Sequence, residues 1–275
     1  MGKISPAQKA EFAEKSNGLK QDIDDLNKKV QIIQKEMTKE SGNVLSYKKI
    51  LISNIYMNII SIYLKLSGLS MAVLGIRNET YLENARKLCY KFLALLEEIV
   101  GNYIDVPFTE QTKQLESISQ IDDVKRLKLI KKITNSVNQV EERFGPNSKW
   151  KWSFVDMDAR AVTLCKNLTD FKRIQANQDP RIEGFPERNE LLTFIKEYLR
   201  KAADRLREKY EVASHDTGEM KNAIRYLSSL MRISILFSDG EESNNLKKNI
   251  KIWEEKLEQD MKNLDEKKKK KSARR

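Results

Sequence analysis

The chain has 275 residues, a formal net charge of +11, 33% charged residues, 10 Gly and 5 Pro. A compact body of this size removes about three quarters of its unfolded surface from water, so it needs no disulfides or structural metals. Few helix breakers among many Lys, Glu, Leu and Ile predict long helices. No repeat of fixed period is visible, which disfavours a solenoid. We therefore expect an all-α bundle of roughly seven to eight long helices.

The first helix is expected to begin at Ser5-Pro6, where a capping hydroxyl precedes a proline at the first helical position. Its apolar residues alternate steps of four and three, which is the spacing of a coiled-coil seam. These positions are Leu19, Ile23, Leu26, Val30 and Ile33. The helix is predicted to end at 41–43, where Gly42 can adopt a left-handed cap conformation.

The second helix contains an apolar stretch, 50–76, whose only charge is Lys65. Its length would suffice to cross a bilayer. However, polar or small residues recur along it at steps of four and three, which marks one face of a helix. This stripe comprises Asn54, Asn58, Ser61, Lys65 and Gly68. The pattern favours a buried helix of a soluble bundle that shows Lys65 to water, with a membrane span as the alternative.

Three further helical segments occupy the middle of the chain. The first is expected to start with a capping box at Thr80 and Glu83 and to run to about Val100. The second runs from about Thr109 to Phe144. Its apolar residues recur every three positions, which is fewer than the roughly 3.6 residues per turn of a straight α-helix, and this spacing predicts a break near 119–123. The third is predicted to reach about residue 178.

Two prolines and a glycine at 179–187 predict a loop, and a possible subdomain boundary lies there within a bundle that covers 1–264. Helices are then expected at about 187–212, 217–237 and 243–266. The last one repeats the narrow seam of the first through Ile250, Trp253 and Leu257. We therefore expect the terminal helices to be coiled-coil-like and to pair with each other or with another molecule.

Residues that commonly carry chemistry are scarce. The single histidine, His215, lies in a predicted turn, and neither a phosphate-binding loop nor an EF-hand spacing occurs. The two cysteines, Cys89 and Cys165, fall in apolar helical stretches, which predicts that they are buried core residues. The sequence indicates no disulfide framework, as is typical of proteins in a reducing compartment. The sequence therefore predicts no catalytic site, no cofactor and no metal site, and a cytoplasmic location.

The C-terminal tail, 265–275, contains seven basic and two acidic residues. Adjacent lysines repel each other, so we expect this tail to be disordered. It can contact nucleic-acid phosphates or an anionic membrane surface, or serve only as a solubilising tail. The residues of this predicted polyanion contact are Lys267, Lys268, Lys269, Lys270, Lys271, Arg274 and Arg275.

Alternating lysines and aromatic residues at 149–154 allow two interpretations. Such residues can stack on bases or accept a peptide. Tryptophans at the start of a helix also fix a loop onto a core, which is the favoured interpretation in a helical protein.

These features predict a non-enzymatic cytoplasmic scaffold or adaptor that binds another protein, or a second copy of itself, through its helical seams. No small-molecule substrate is indicated. The seam residues are Leu19, Ile23, Leu26, Val30, Ile33, Ile250, Trp253 and Leu257. The alternative is a nucleic-acid or anionic-surface binding protein that uses the basic tail.

Overall fold

The structure is a computed structural model that describes residues 4–272, with side chains described for 4–266. Within this described part, all regular structure is helical, which confirms the predicted all-α class. It comprises a π-helical turn, Tyr210–Ser214, and ten α-helices. The α-helices are α1 Pro6–Met37, α2 Gly42–Leu74, α3 Glu79–Val100, α4 Phe108–Glu116, α5 Asp123–Phe144, α6 Lys151–Asn167, α7 Phe171–Ala176, α8 Phe185–Lys209, α9 Thr217–Leu236 and α10 Gly240–Ser272.

Two interruptions raise the number of helices above the predicted seven to eight. The expected break near 119–123 is present at 117–122, and the side chain of Asp122 accepts from Lys125 N at 2.7 Å to start α5. A second break separates α6 from α7, where Asp170 accepts from Arg173 N at 3.0 Å. The sequence prediction missed the second break because it contains neither proline nor glycine.

The described helix ends depend on short-range capping. Ser5 and Gln8 form a reciprocal capping box at the start of α1, as the sequence predicts. At the start of α3, the cap is Asn78, whose side chain accepts from Thr80 N and Tyr81 N, rather than the predicted Thr80. Gly42 adopts a left-handed conformation with φ 61°, but it begins α2, since α1 has already ended at Met37.

The chain divides into two compact units. In the described residues, unit 1 consists of 4–102 and 109–168, and unit 2 consists of 103–108 and 169–272. Asp105 joins the short early segment to unit 2 through an ion pair with Arg232 at 2.8 Å. The predicted boundary loop, 179–187, lies inside unit 2.

The apolar helix α2 packs against α1, α3 and α5 in unit 1. Ile52 and Leu66 are fully buried, whereas Ser61 and Lys65 are exposed, as the polar stripe predicts. By length and composition, α2 is nevertheless the one helix in the described part that could cross a membrane, and 39% of its most apolar window is buried.

The first helix packs antiparallel on α2. Near one end, Gln8 Nε2 donates to Val73 O at 3.2 Å, and near the other, Lys48 Nζ lies 3.1 Å from Glu36 Oε2. This packing covers the seam that was predicted to bind a partner. Its residues are buried (Ile23, Val30) or half-buried (Leu19, Leu26, Ile33). The assignment of these residues to an open partner surface is therefore corrected: Ile23 and Val30 are core residues of unit 1, and the other three lie at the edge of the same helix contact.

The seam of α10 is likewise covered within unit 2, where α10 packs on α9 and α9 packs on α8. Ile250, Trp253 and Leu257 are buried, and the guanidinium of Arg207 in α8 lies 5.0 Å from the ring centroid of Trp253. These three residues are therefore core positions rather than an exposed seam. A heptad spacing of apolar residues looks the same in a sequence whether the helix packs against another helix of the same chain or of a different chain.

The predicted disorder of 265–275 also needs correction in part. The backbone of α10 is helical through Ser272, because lysine is a good helix former and cations favour a helix C-terminus. The side chains of Lys267, Lys268, Lys269, Lys270 and Lys271, and the whole of Arg274 and Arg275, lie outside the described residues. Their predicted contact with polyanions stays a prediction.

Replacing a buried seam residue is expected to destabilise the chain. Ile23→Ala removes buried apolar atoms between α1 and α2, and should lower the free energy of unfolding by about 2 kcal/mol. The measurement is urea unfolding followed by circular dichroism. The matched control is Ile32→Ala on the same helix, since Ile32 is 58% exposed and should change stability by less than about 0.5 kcal/mol. Equal effects of the two changes would contradict the packing of α1 on α2.

A partly buried ion-pair network fixes the N-terminus of α10 to α8 and α9. Lys196 pairs with Glu242 and, at 3.1 Å, with Asp239, while Ser234 Oγ donates to Glu242 Oε2 at 2.7 Å. The hydrogen bond from Lys196 lowers the pKa of Asp239. For Glu242, burial raises the pKa, but the hydrogen bonds from Lys196 and Ser234 outweigh burial and lower it.

The N-terminus of α10 should therefore loosen in acid. Both carboxyl groups have folded-state pKa values below their unfolded values, so their contribution is present above about pH 4 and is lost as the pH falls further. Hydrogen exchange of 240–250 should show falling protection factors below about pH 4. Glu242→Gln should flatten this dependence. The control, Glu258→Gln, changes an exposed residue of the same helix, and an identical effect would refute the role of the network.

Candidate functional site

Helices α2 and α5 run in the same direction with an open groove between them. Tyr47 Oη, near the start of α2, accepts from Gln120 N at 2.9 Å just before α5. Further along both helices, Lys132 Nζ donates to Asn54 Oδ1 and, at 2.7 Å, to Asn58 Oδ1. Contacts that advance along both helices together establish a parallel pair.

The groove has an apolar floor and a basic rim. Its volume is about 470 Å³. Leu51 is 46% exposed, and Ile50, Ile121 and Leu129 are half-buried, so apolar surface faces the solvent. The described lining residues, none of them acidic, are Tyr47, Ile50, Leu51, Asn54, Gln120, Ile121, Lys125, Lys128, Leu129 and Lys132. Apolar surface gathered in a concave site is typical of binding rather than of plain solvated surface.

The lysines of the rim differ in how their charge is balanced. Lys125 pairs with Asp122 at 2.9 Å, and hydrogen bonds from the backbone and side chain of Lys125 lower the pKa of Asp122. Within the described residues, neither Lys128 nor Lys132 forms an ion pair. The half-buried ammonium of Lys132 contacts the neutral amide oxygens of Asn54 and Asn58, and burial lowers its pKa. The groove therefore carries positive charge that the chain itself does not neutralise.

The aromatic cluster at 149–154 has a different character. The guanidinium of Arg86 lies 3.7 Å from the ring centroid of Trp150, and Lys149 lies 5.3 Å from it. Lys151 Nζ covers Trp152 at 4.4 Å. Because cations of the chain already occupy these ring faces, the contacts favour the interpretation that the tryptophans fix the start of α6 onto α3.

His215 lies in the left-handed conformation, φ 51°, directly after the π turn. Its ring meets the ring of Tyr210 edge-on at 6.4 Å. Tyr210 Oη donates to Asp260 Oδ2 at 2.7 Å, and Lys256 Nζ lies 2.8 Å from Asp260 Oδ1. Burial and the neighbouring carboxylate raise the pKa of Tyr210 to about 12, so its hydroxyl stays protonated near neutral pH. The cluster connects the π turn to α10. It also gives a role to Asp260, which lies three residues after Leu257, where the apolar seam of α10 would continue.

The two cysteines, Cys89 and Cys165, do not form a disulfide and are fully buried in unit 1. Burial raises the pKa of both the Cys89 and the Cys165 thiols. A protonated, inaccessible thiol is a poor nucleophile. Among the described residues, no group of three or more His, Cys, Asp or Glu could hold a metal ion.

Sequence reasoning missed the groove because its two walls lie far apart in the chain. One signal was present: Lys125, Lys128 and Lys132 recur at steps of three and four, with Leu129 between them. This spacing puts a basic edge along one side of an amphipathic helix. Without its partner wall on α2, the edge is indistinguishable from an ordinary solvated helix face.

Comparison with known proteins supplies the family. The model of the TP0443 family matches residues 8–261, which is most of the chain. The chain belongs to the TP0443 family. Comparison with curated proteins finds no match. A solved structure titled as a computationally designed, self-assembling cyclic homo-oligomer aligns with 12% identity over 94% of this chain and 99% of that chain. Its TM-score of 0.28 is too low to carry an argument about this member of the TP0443 family.

Removing the charge of Lys132 should not destabilise the fold. Lys132→Met keeps the apolar stem and abolishes the cost of desolvating the ammonium, at the loss of two hydrogen bonds to half-buried or exposed asparagines. We expect the free energy of unfolding in urea to change by less than about 1 kcal/mol. For comparison, Leu66→Ala on α2 should cost about 3 kcal/mol, since Leu66 is fully buried. A large loss of stability from Lys132→Met would make the lysine a structural residue.

Proposed function

We propose that this protein is a non-enzymatic, cytoplasmic helical scaffold or adaptor that binds another protein through the groove between α2 and α5. The observation that carries the proposal is the groove itself: exposed Leu51 and half-buried apolar neighbours lie beside Lys128 and Lys132, which lack ion-pair partners among the described residues. Exposed apolar surface costs free energy in water, and a partner recovers it by covering that surface.

The proposed site differs from the seams predicted from the sequence. Those seams are covered by α2 and α9, so a partner could reach them only by displacing a packed helix. The groove needs no such displacement, because Leu51 and Lys128 are already exposed. A scaffold role is thus retained, but the contact surface moves from the terminal helices to α2 and α5.

A binding role fits the described chemistry better than catalysis does. Among the titratable groups described above outside the groove, Tyr210 and Asp260 pair in a packing contact, and the two cysteine thiols are buried. Such groups stabilise helix contacts and offer no exposed nucleophile or poised general base. The proposal of a cytoplasmic location is supported by two buried cysteines that do not form a disulfide.

The groove should decide whether a partner is captured. The full chain is immobilised and incubated with a lysate of the cells that produce it, and bound proteins are cross-linked to it. A variant that combines Leu51→Asp with Leu129→Asp is treated in parallel. We expect a defined protein to be retained by the natural chain and lost by the double variant, because two buried carboxylates would prevent an apolar partner from docking. Circular dichroism checks that each variant is folded.

Matched controls separate this result from a general surface effect. Ile32→Asp combined with Ile252→Asp changes two exposed apolar residues outside the groove, 58% and 60% exposed respectively, and should leave capture unchanged. Nuclease treatment and a chain that ends at Leu264 test the polyanion alternative, whose residues lie largely outside the described part. A partner that still binds the groove variant but no longer binds the chain that ends at Leu264 would overturn the proposal in favour of that alternative.

A further inference from the structure

We infer that the occupant of this groove is an amphipathic helix of a partner protein, with apolar residues on one edge and carboxylates beside them. This inference rests on the proposed function and specifies its partner. It follows from the shape of the groove, from the helical structure of most of its walls and from the charge of its rim.

The shape fits a short helix. The lining residues run from Tyr47 to Asn54 on α2 and from Lys125 to Lys132 on α5. Each span is seven steps of about 1.5 Å, so each wall is about 10 Å long, or two helical turns. Leu51 and Leu129 present apolar surface from opposite walls. A helix that lies in such a groove contacts it through residues at steps of three, four and seven.

The walls disfavour an extended peptide. Most of both walls is α-helical, with backbone groups bonded within each helix, and only Gln120 and Ile121 of the lining lie in the turn before α5. The walls therefore offer no strand edge to a peptide. An extended segment would leave its own N–H and C=O groups unpaired against the apolar floor, whereas a helix satisfies them internally. A proline-rich segment prefers grooves lined by aromatic rings, and Tyr47 is the single aromatic residue among the described lining residues.

The rim selects for negative charge. Lys125, Lys128 and Lys132 recur along one wall at steps of three and four, so carboxylates at steps of three or four on a docked helix would face them in turn. Asp122 already pairs with Lys125, which leaves Lys128 and Lys132 as the principal contacts. Lys132 is half-buried and contacts only amide oxygens among the described residues. A carboxylate there would form a charge-assisted hydrogen bond, which is stronger than a neutral one.

The apolar floor distinguishes this occupant from other anions. Phosphates of a nucleic acid would contact the lysines but gain nothing from Leu51, Ile121 and Leu129. A flat membrane surface would contact the exposed Leu51 but gain less from the half-buried Ile121 and Leu129 between the walls. An acidic amphipathic helix uses both features at once, and this is why the combination of floor and rim favours it over either polyanion.

The test uses a designed peptide of about 18 residues, which is long enough to cover the groove. Its leucines recur at steps of three and four, glutamates flank them, and a side-chain staple holds it helical. Two companions carry lysine in place of every glutamate, or the same residues in scrambled order. Binding of the fluorescent peptides to the full chain is followed by anisotropy. We expect the acidic peptide to bind at least about tenfold more tightly than either companion, with affinity falling as salt rises.

Charge reversal gives the sharper test. Lys128→Glu combined with Lys132→Glu should reverse the preference, so that the variant binds the lysine peptide more tightly than the acidic one. The control, Lys29→Glu combined with Lys35→Glu, changes net charge equally on exposed residues of α1 and should retain the preference of the natural chain. Reversal in both variants would show that net charge alone acts, and would overturn the inference.

The outcomes separate the inference from the proposed function. If the cellular partner depends on Leu51 and Leu129 but acidic and lysine peptides bind equally, the acidic occupant is wrong and the scaffold function stands. If that partner binds but every stapled peptide fails, a helical occupant is wrong. If the cellular partner is indifferent to the Leu51 and Leu129 changes, the groove is not the contact surface, and the proposed function itself is overturned.

Discussion

Unit 1 is organised by the need to cover α2 in water. A helix with a single charge between residues 50 and 76 has apolar surface on several sides, and α1, α3 and α5 each cover part of it. This burial is the main source of favourable free energy available to a helical unit. It also explains why Ile23 and Val30 turn inward on α1: they are needed as a cover for α2, and they are therefore not available to a partner.

The uncovered side of α2 determines where a binding groove can form. Its polar stripe, which includes Asn54 and Asn58, faces outward, and α5 lies along the edge of that stripe. Packing explains the buried residues of α5, such as Ile130 and Ile133. It does not explain Lys132, whose desolvated ammonium contacts only neutral oxygens among the described residues. Lys132 joins α5 to α2 through two hydrogen bonds, but its charge has no counter-ion among the described residues. A charge that local packing does not balance is a common feature of a functional position.

Local signals allowed much of the helical order to be predicted. The start of α1 at Ser5 and Gln8 involves residues only three positions apart, so spacing alone shows it. The break between α4 and α5 was visible as apolar steps of three. The break between α6 and α7 was not, because it depends on Asp170 as a cap within a continuous apolar pattern.

The candidate site could not be predicted in the same way. Its walls come from 47–58 and 120–132, and a pattern within one helix cannot show which other helix lies beside it. The prediction that the apolar seams of α1 and α10 bind a partner was wrong for a related reason. A narrow apolar stripe indicates that some helix packs there, but the same stripe serves an intramolecular and an intermolecular partner equally well. Only the packing of α1 on α2 and of α10 on α9 resolves the two cases.

The excess of positive charge and the groove act on different steps of the proposed association. A net charge of +11 attracts acidic partners over distances comparable to the Debye length, about 8 Å at physiological salt, and mainly raises the rate of encounter. The apolar floor acts only at contact, so it mainly slows dissociation. Charge outside the groove can therefore change how quickly a partner arrives without choosing its orientation. In the proposed association the choice of orientation belongs to Lys128 and Lys132, because among the described lining lysines these two lie beside the apolar floor without an ion-pair partner.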